Sequence, residues 1–325
     1  ENRREWAIVD WACLTARLAD VPSYPSLPAE QVVHPINDSG ATVIFVSSEV
    51  HAAKVASVRA QCPALKHVIT FTSERIAGSD LTLAELTARG AALDSPERAA
   101  QWKADALSLQ PGDLATLIYT SGTTGLPKGV MLTHDNIYSN VQASLQVLPF
   151  NLGHEVALSF LPLCHSFERM GDYCYWAVGA AIHYVEGFDL VPICLQEARP
   201  TFAMSVPRLY EKMYARAFEN ALASGAIKKR IFFWARAVAD RWADVKLSGR
   251  EPSGPVAWQY ALAQKLVFSK ISARTGGRMR YFVAGGAPRA AESNKFFYAA
   301  GLTILAGYGL TETSPVSGVN TPAAF

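Results

Sequence analysis

The chain has 325 residues, half of them hydrophobic and 18% charged, with a formal net charge of +2. That balance excludes a disordered polymer and removes any bulk argument for nucleic acid as a partner. No apolar run approaches the roughly 18 residues that span a bilayer; the closest, Tyr173 to Val185, is interrupted by Gly179 and His183.

Trp6 to Leu18 carries a rough helical stripe of apolar residues, with Asn2 as a candidate N-cap. Val21 to Pro28 holds three prolines and reads as a loop. The Asn37-Asp38-Ser39-Gly40 turn feeds Ala41 to Ser47, whose β-branched run predicts a buried parallel strand. A helix over Glu49 to Gln61 and a strand over Val68 to Phe71 follow. Strand–helix–strand alternation implies an α/β fold with right-handed crossovers. Leu81 to Leu109 is more polar and predicts two helical pieces, the second capped at Asp94 or Ser95 with Pro96 in its first turn.

Leu114 to Tyr119 predicts a buried strand, and a helix follows from near Thr133, a plausible N-cap. Val156 to Leu161 is another strand, then a helix, then strands near Ala181 to Val185 and Thr201 to Val206. Long helical patterns occupy Pro207 to Ala223, Lys228 to Leu247 and Val256 to Arg274. Arg280 to Ala284 is a strand, Ala290 to Ala300 a helix and Leu302 to Leu305 a last strand. No repeat, low-complexity segment or internal linker interrupts the pattern, so the expectation is one domain. Cys13, Cys62, Cys164, Cys174 and Cys194 are odd in number, scattered and without metal-ligand spacing. They predict buried thiols in a reducing, cytoplasmic compartment. Glu1-Asn2-Arg3-Arg4 is no signal peptide, and the chain is expected to be incomplete at both ends.

Between the Leu114 strand and the Thr133 helix lies Thr120-Ser121-Gly122-Thr123-Thr124-Gly125-Leu126-Pro127-Lys128-Gly129. Three glycines, four hydroxyls and one lysine share ten positions. Glycines let a ligand approach the backbone, successive N–H groups make an anion-binding concavity, and lysine adds a mobile positive charge. That chemistry suits a polyphosphate. A Walker A loop would need glycine where Pro127 stands, so this is a different phosphate loop. A flexible linker is the plain alternative, but linkers rarely follow a buried strand and carry a fixed proline and lysine. A helix starting just past the loop would lend its positive end to the anion.

The loop resembles the signature of the adenylate-forming (AMP-binding) superfamily of acyl-CoA synthetases, luciferases and peptide-synthetase adenylation domains. Tyr308-Gly309-Leu310-Thr311-Glu312-Thr313 resembles the later superfamily motif, in the right order. Leu161 to Arg169, Val206-Pro207-Arg208-Leu209-Tyr210-Glu211-Lys212 and Gly285 to Pro288 are most similar to the long-chain fatty acyl-CoA synthetase branch. The resemblance covers Glu1 to Thr321. It implies the large N-terminal domain of that fold, β-sheets layered with helices, without the small C-terminal domain. It implies ATP-dependent activation of a long-chain fatty acid to an acyl-adenylate, then thioester formation with coenzyme A. The alternatives are loading of a carrier protein and a catalytically silent nucleotide- or acyl-binding relative.

The resemblance also distributes roles. Thr120, Ser121, Gly122, Thr123, Thr124, Gly125 and Lys128 would hold the phosphates, and Thr120 and Glu312 a Mg2+ ion. Thr311 would bond the α-phosphate, Tyr308 and Gly309 would face the adenine, and Gly285, Gly286 and Ala287 would lie along the base or acyl adenylate. His165 would orient the acyl oxygen; a histidine beside apolar residues is otherwise a structural group. His34, His51, His67, His134, His154 and His183 carry no such context. Ala306 departs from the polar residue of many relatives, which puts one adenine contact in doubt. The later ribose-binding aspartate, hinge and C-terminal lysine have no counterpart here, so the polypeptide alone is expected to make little or no acyl-CoA. Lys228-Lys229-Arg230 with Ile231-Phe232-Phe233-Trp234 reads first as an amphipathic helix packed on the domain, second as a peripheral membrane contact.

Overall fold

A computed structural model describes residues 1–120, 125–285 and 291–322. It forms two compact units, Glu1–Asn140 with Pro162–Arg169, and Val141–Leu161 with Met170–Phe325.

The first unit opens with α1 (Arg4–Thr15), which buries Ala7, Asp10 and Leu14 on one face. Asn2 does not cap it. Its side-chain carbonyl accepts instead from the Leu163 amide at 3.2 Å. α2 (Ala29–Ser39) replaces the expected turn, and Gly40 at φ 67° closes it in the left-handed conformation. Pro35 lies inside α2, where a proline removes one ladder bond; the Ser39 hydroxyl donates to the Pro35 carbonyl at 2.6 Å.

β1 (Val43–Val46) pairs in parallel with β2 (His67–Thr70), which pairs with β3 (Leu81–Thr82). β1 is parallel as expected, but it is an edge strand, and only Val46 of its four residues is buried. α3 (Glu49–Val58) lies between β1 and β2, capped by Ser48. Val32, Ile36, Val46, Val55, Leu65 and Val68 form the core beneath this sheet. α4 (Leu83–Ala92) starts in a capping box of Thr82 and Glu85, and α5 (Pro96–Leu107) on Ser95 with Pro96 in its first turn. β4 (Leu114–Thr120) and β5 (Lys128–Thr133) then form an antiparallel pair. α6 (His134–Val147) follows, with Thr133 as its cap, the Asn136 amide donating to Thr133 Oγ1 at 3.2 Å.

The second unit is built on a six-stranded sheet. Its strands are β6 (Val156–Ser159), β7 (Ala181–Tyr184), β8 (Phe202–Ser205), β9 (Tyr281–Ala284), β10 (Thr303–Gly309) and β11 (Val316–Val319), in the order β11-β10-β9-β8-β6-β7. All neighbours are parallel except the β10–β11 edge pair. All four residues of the interior strand β8 are buried, as in a sheet covered on both faces. α7 (Ser166–Ala177) links β6 to β7, and α8 (Val191–Ala198) links β7 to β8. The chain reverses its march across the sheet between β6 and β8, so right-handed crossovers put α7 on one face and the later helices on the other.

Those helices are α9 (Pro207–Leu222), α10 (Ala226–Leu247), α11 (Gly254–Ala263), α12 (Ser269–Ala273) and α13 (Ala291–Ala299). A π-helical turn, Gln264–Phe268, divides the single helix expected over Val256 to Arg274. Edge-on aromatic pairs join the layer: Tyr214 with Phe296 at 5.1 Å and Phe218 with Phe233 at 5.2 Å. At the amino ends of the strands, buried Glu155 bonds both Arg280 and Thr201. Cys62, Cys164 and Cys174 are buried and all five thiols are free, although Cys13 and Cys194 are only half-buried. No described helix is long and apolar enough to cross a membrane.

Candidate active site

In the first unit, β4 ends on Thr120 and β5 starts on Lys128, and the two are cross-strand partners. Ser121, Gly122, Thr123 and Thr124 lie outside the described residues. Gly125 stands at φ 107°, where a side chain would be strained. Lys128 and Leu126 are exposed.

The expected strand–loop–helix order needs correction. β5 intervenes, and α6 starts at His134, the far end of that strand. Its first amides are already used: His134 N–H donates to the Asp113 carbonyl at 3.0 Å and Asp135 N–H to the Pro111 carbonyl at 2.9 Å. The positive end of α6 therefore serves that turn and not an anion at Lys128.

What holds the ribbon beside Thr120 and Lys128 is α2. His34 Nε2 lies 2.8 Å from the Pro127 carbonyl. One turn later, Asp38 accepts the Tyr119 hydroxyl at 2.6 Å. The His34 and Tyr119 rings meet edge to face, 5.7 Å apart at 82°. The Tyr119 ring lies over Gly129, where a Cβ would stand 3.1 Å from the ring carbon Cζ. Burial first, then Asp38, pushes the Tyr119 phenol well above its usual range, so it stays a donor.

His165 sits just ahead of α7. Its amide donates to the Pro162 carbonyl at 2.9 Å, and its Nδ1 accepts the Phe167 amide at 3.2 Å. An accepting Nδ1 leaves the proton of the neutral ring on Nε2. Surrounding protein atoms hold its pKa below the ordinary 6.5 by desolvation, while the residue still reaches solvent. His165 is thus built as a neutral hydrogen-bond donor. Four residues on, Arg169 is 2% exposed and bonds Asp10, Asp20 at 2.9 Å and Thr116 at 2.7 Å, with the Trp6 ring 5.5 Å away. It ties the His165 turn to α1 and to the strand that carries Thr120.

In the second unit, the motif residues gather at the carboxyl ends of parallel strands, where open α/β sheets bind ligands. Gly285 follows β9, is buried, and donates its amide to Ser205 at the end of β8 at 3.2 Å. Gly286 and Ala287 lie outside the described residues. Tyr308 is 71% exposed near the end of β10. Gly309 is required by a close crossing: a Cβ there would overlap the Pro315 carbonyl oxygen and stand 2.8 Å from its carbon. The crossing is closed by the Leu310 amide on the Pro315 carbonyl at 3.1 Å. Thr311 to Thr313 make one 3-10 turn in which Thr311 is buried and Glu312 exposed. Ala306 lies within β10, paired with Ala284.

Among the described residues, no group of three or more His, Cys, Asp or Glu side chains could hold a metal ion. One exposed carboxylate suits magnesium, which keeps several waters and takes phosphate oxygens.

The family model for AMP-binding enzymes matches residues 1–324. The chain belongs to that family. It is 39% identical over 316 residues to the long-chain-fatty-acid–CoA ligase FadD15 of Mycobacterium bovis, covering 96% of this chain and 50% of that protein. It is 32% identical over 323 residues to the peroxisomal long chain acyl-CoA synthetase 7 of Arabidopsis thaliana, covering 97% of this chain and 44% of the other. The adenylation domain of a carboxylate reductase from Mycobacterium chelonae shares the fold, with a TM-score of 0.67 at 22% identity over 97% of this chain and 46% of that one. The chain thus spans about half the length of the curated relatives it matches.

Proposed function

We propose that this AMP-binding chain is part of an ATP-dependent ligase that activates a long-chain fatty acid as its acyl-adenylate and passes the acyl group to coenzyme A. The observation that carries this reading is identity of 30–39% along 96% or more of the chain to proteins named long-chain acyl-CoA ligases or synthetases. Residues 1–325 are read as part of an N-terminal AMP-binding domain. The free, mostly buried thiols support a reducing compartment.

In the first half-reaction a fatty carboxylate oxygen attacks the α-phosphorus and pyrophosphate leaves. Both partners are anions, so the protein must neutralise charge and hold the groups in line. Lys128 and the loop amides around Gly125 take the β and γ phosphates. The Nε2 proton of His165 bonds the acyl oxygen, and Thr311 bonds the α-phosphate. Tyr308 gives the adenine a flat apolar face, with Gly285 beside it. Glu312, an exposed carboxylate, would hold a magnesium ion, whose charge offsets that on the phosphates.

The test is hydroxylamine-trapped adenylation by the full-length protein across acids of rising chain length. Activity should rise with length, since each buried CH₂ contributes about 0.8 kcal/mol. Lys128→Ala or Glu312→Ala should each lower it about 100-fold, as loss of a charge-stabilising group does. Full activity in either variant would refute the assignment.

A further inference from the structure

We infer that His34 and Asp38 on α2, acting with Tyr119, are positioning residues for the nucleotide loop. The inference rests on the reading of Lys128 as a phosphate ligand but is carried by the geometry of the first unit alone. A two-stranded ribbon is marginal without outside support; among the described residues β4 and β5 pair as strands only with each other, with one isolated bridge from Asp20 to Thr116 at the end far from Lys128. α2 supplies that support next to the proposed phosphate-binding residues. Asp38 holds Tyr119, the neighbour of Thr120, at 2.6 Å. His34 holds the carbonyl of Pro127, the neighbour of Lys128, at 2.8 Å.

The two residues are spaced i, i+4, so they stack on one helix face. The Tyr119 ring fills the space over Gly129, its cross-strand partner, and touches His34 edge-on. One helix face thus grips both strands and sets the separation of Thr120 from Lys128. A carbonyl only accepts, so His34 Nε2 carries the proton and donates to Pro127. At half-buried His134, by contrast, Nε2 has no hydrogen-bond partner among the described residues.

The experiment uses the full-length protein and ATP–pyrophosphate exchange with a fatty acid, with KM for ATP and for the fatty acid measured separately. His34→Ala, Asp38→Ala and Tyr119→Phe should each impair ATP use by roughly two- to tenfold, the factor a net hydrogen bond of ordinary strength represents. KM for the fatty acid should not move. His34→Gln, which keeps a donor, should recover most of the loss seen with alanine. Asp38→Ala combined with Tyr119→Phe should cost no more than one alone, because both remove the same bond. ATP kinetics equal to the parent in these variants, or a fall in melting temperature with no change in ATP kinetics, would overturn the inference. Lys128→Ala is the separating control. If Lys128→Ala retains full activity, the phosphate-loop reading fails; if it is inactive while the α2 variants match the parent, only the clamp fails.

Discussion

At the scale of single residues, His165 does two things with two nitrogens. Nδ1 accepts the Phe167 amide, and Nε2 is left to donate. Protonation would cancel the first role, because a protonated Nδ1 faces another donor. Desolvation by the surrounding protein has already lowered the pKa from 6.5, so the sign of the pH dependence follows. Above 6.5 both folded and unfolded rings are neutral and nothing is lost. As pH falls below that value the unfolded ring takes up its proton first, and stability drains from the folded state. His165→Asn keeps a cap acceptor but removes the Nε2 donor. It should hold its melting temperature at neutral pH, flatten the fall in stability as pH drops below 6.5, and lower adenylation about 10- to 100-fold, the worth of a hydrogen bond to a charged group. Paired melting curves and exchange rates check this.

Gly309 carries the second residue-scale prediction. Gly309→Ala would push a methyl into the Pro315 carbonyl and to 3.1 Å from Val316 Cα, and backbone cannot swing aside as a side chain can. The expected loss is about 1–3 kcal/mol, as for other overpacked sites, measured by urea denaturation. Glu312 lies three residues on, so adenylation should fall as well. Thr120, Lys128, Tyr308 and Glu312 could be proposed from the sequence because each sits in a contiguous motif. His34 and Asp38 were not: their partners lie 93 and 81 residues away, and no local pattern announces a contact at that distance. Arg169 was read as part of a branch motif, but its pairing with Asp10, 159 residues away, was equally silent.

At the scale of elements, most strands and helices followed from period and caps, and the exceptions have physical causes. α2 was hidden by its prolines. Pro28 is its N-cap and Pro35 a buried core residue, while Asn37 to Gly40, read as a turn, is the helix end and its glycine cap. β5 was hidden by its opening Lys-Gly and by a reversal far longer than the two-residue hairpin turn that signals a ribbon. Its alternation shows in the fold, Met131 exposed and Leu132 buried. β11 has only two valines around a serine and a glycine, too little to register.

The packing of α10 favours the first of its two sequence readings. Lys228, Lys229 and Arg230 are exposed, yet Phe232 is buried against Phe296 and Phe233 packs edge-on to Phe218. Two of the aromatic side chains a lipid contact would use thus pack on the helical layer. Lys228→Glu with Lys229→Glu should therefore co-sediment with anionic vesicles to the same extent as the parent. A clear loss of binding would restore the membrane reading.

At the scale of the whole molecule, the α/β architecture was legible from alternation alone, but the division into two units was not. No linker marks it, because the boundaries at Asn140 and Arg169 fall inside α6 and α7. The first unit is thus discontinuous in sequence, and its buried centre depends on the returning piece. Arg169→Ala would strand Asp10, 4% exposed, without its cation. Removing one partner of a buried pair costs about 3–5 kcal/mol, and urea denaturation should find a loss of that size.

The same arrangement constrains how the chain is born. Asp10, Asp20 and Thr116 leave the ribosome well before the guanidinium that joins them. At about 5–20 residues per second, Asp10 and Asp20 wait for seconds before Arg169 is made. The centre of the first unit is therefore completed only by a segment translated long after its other members.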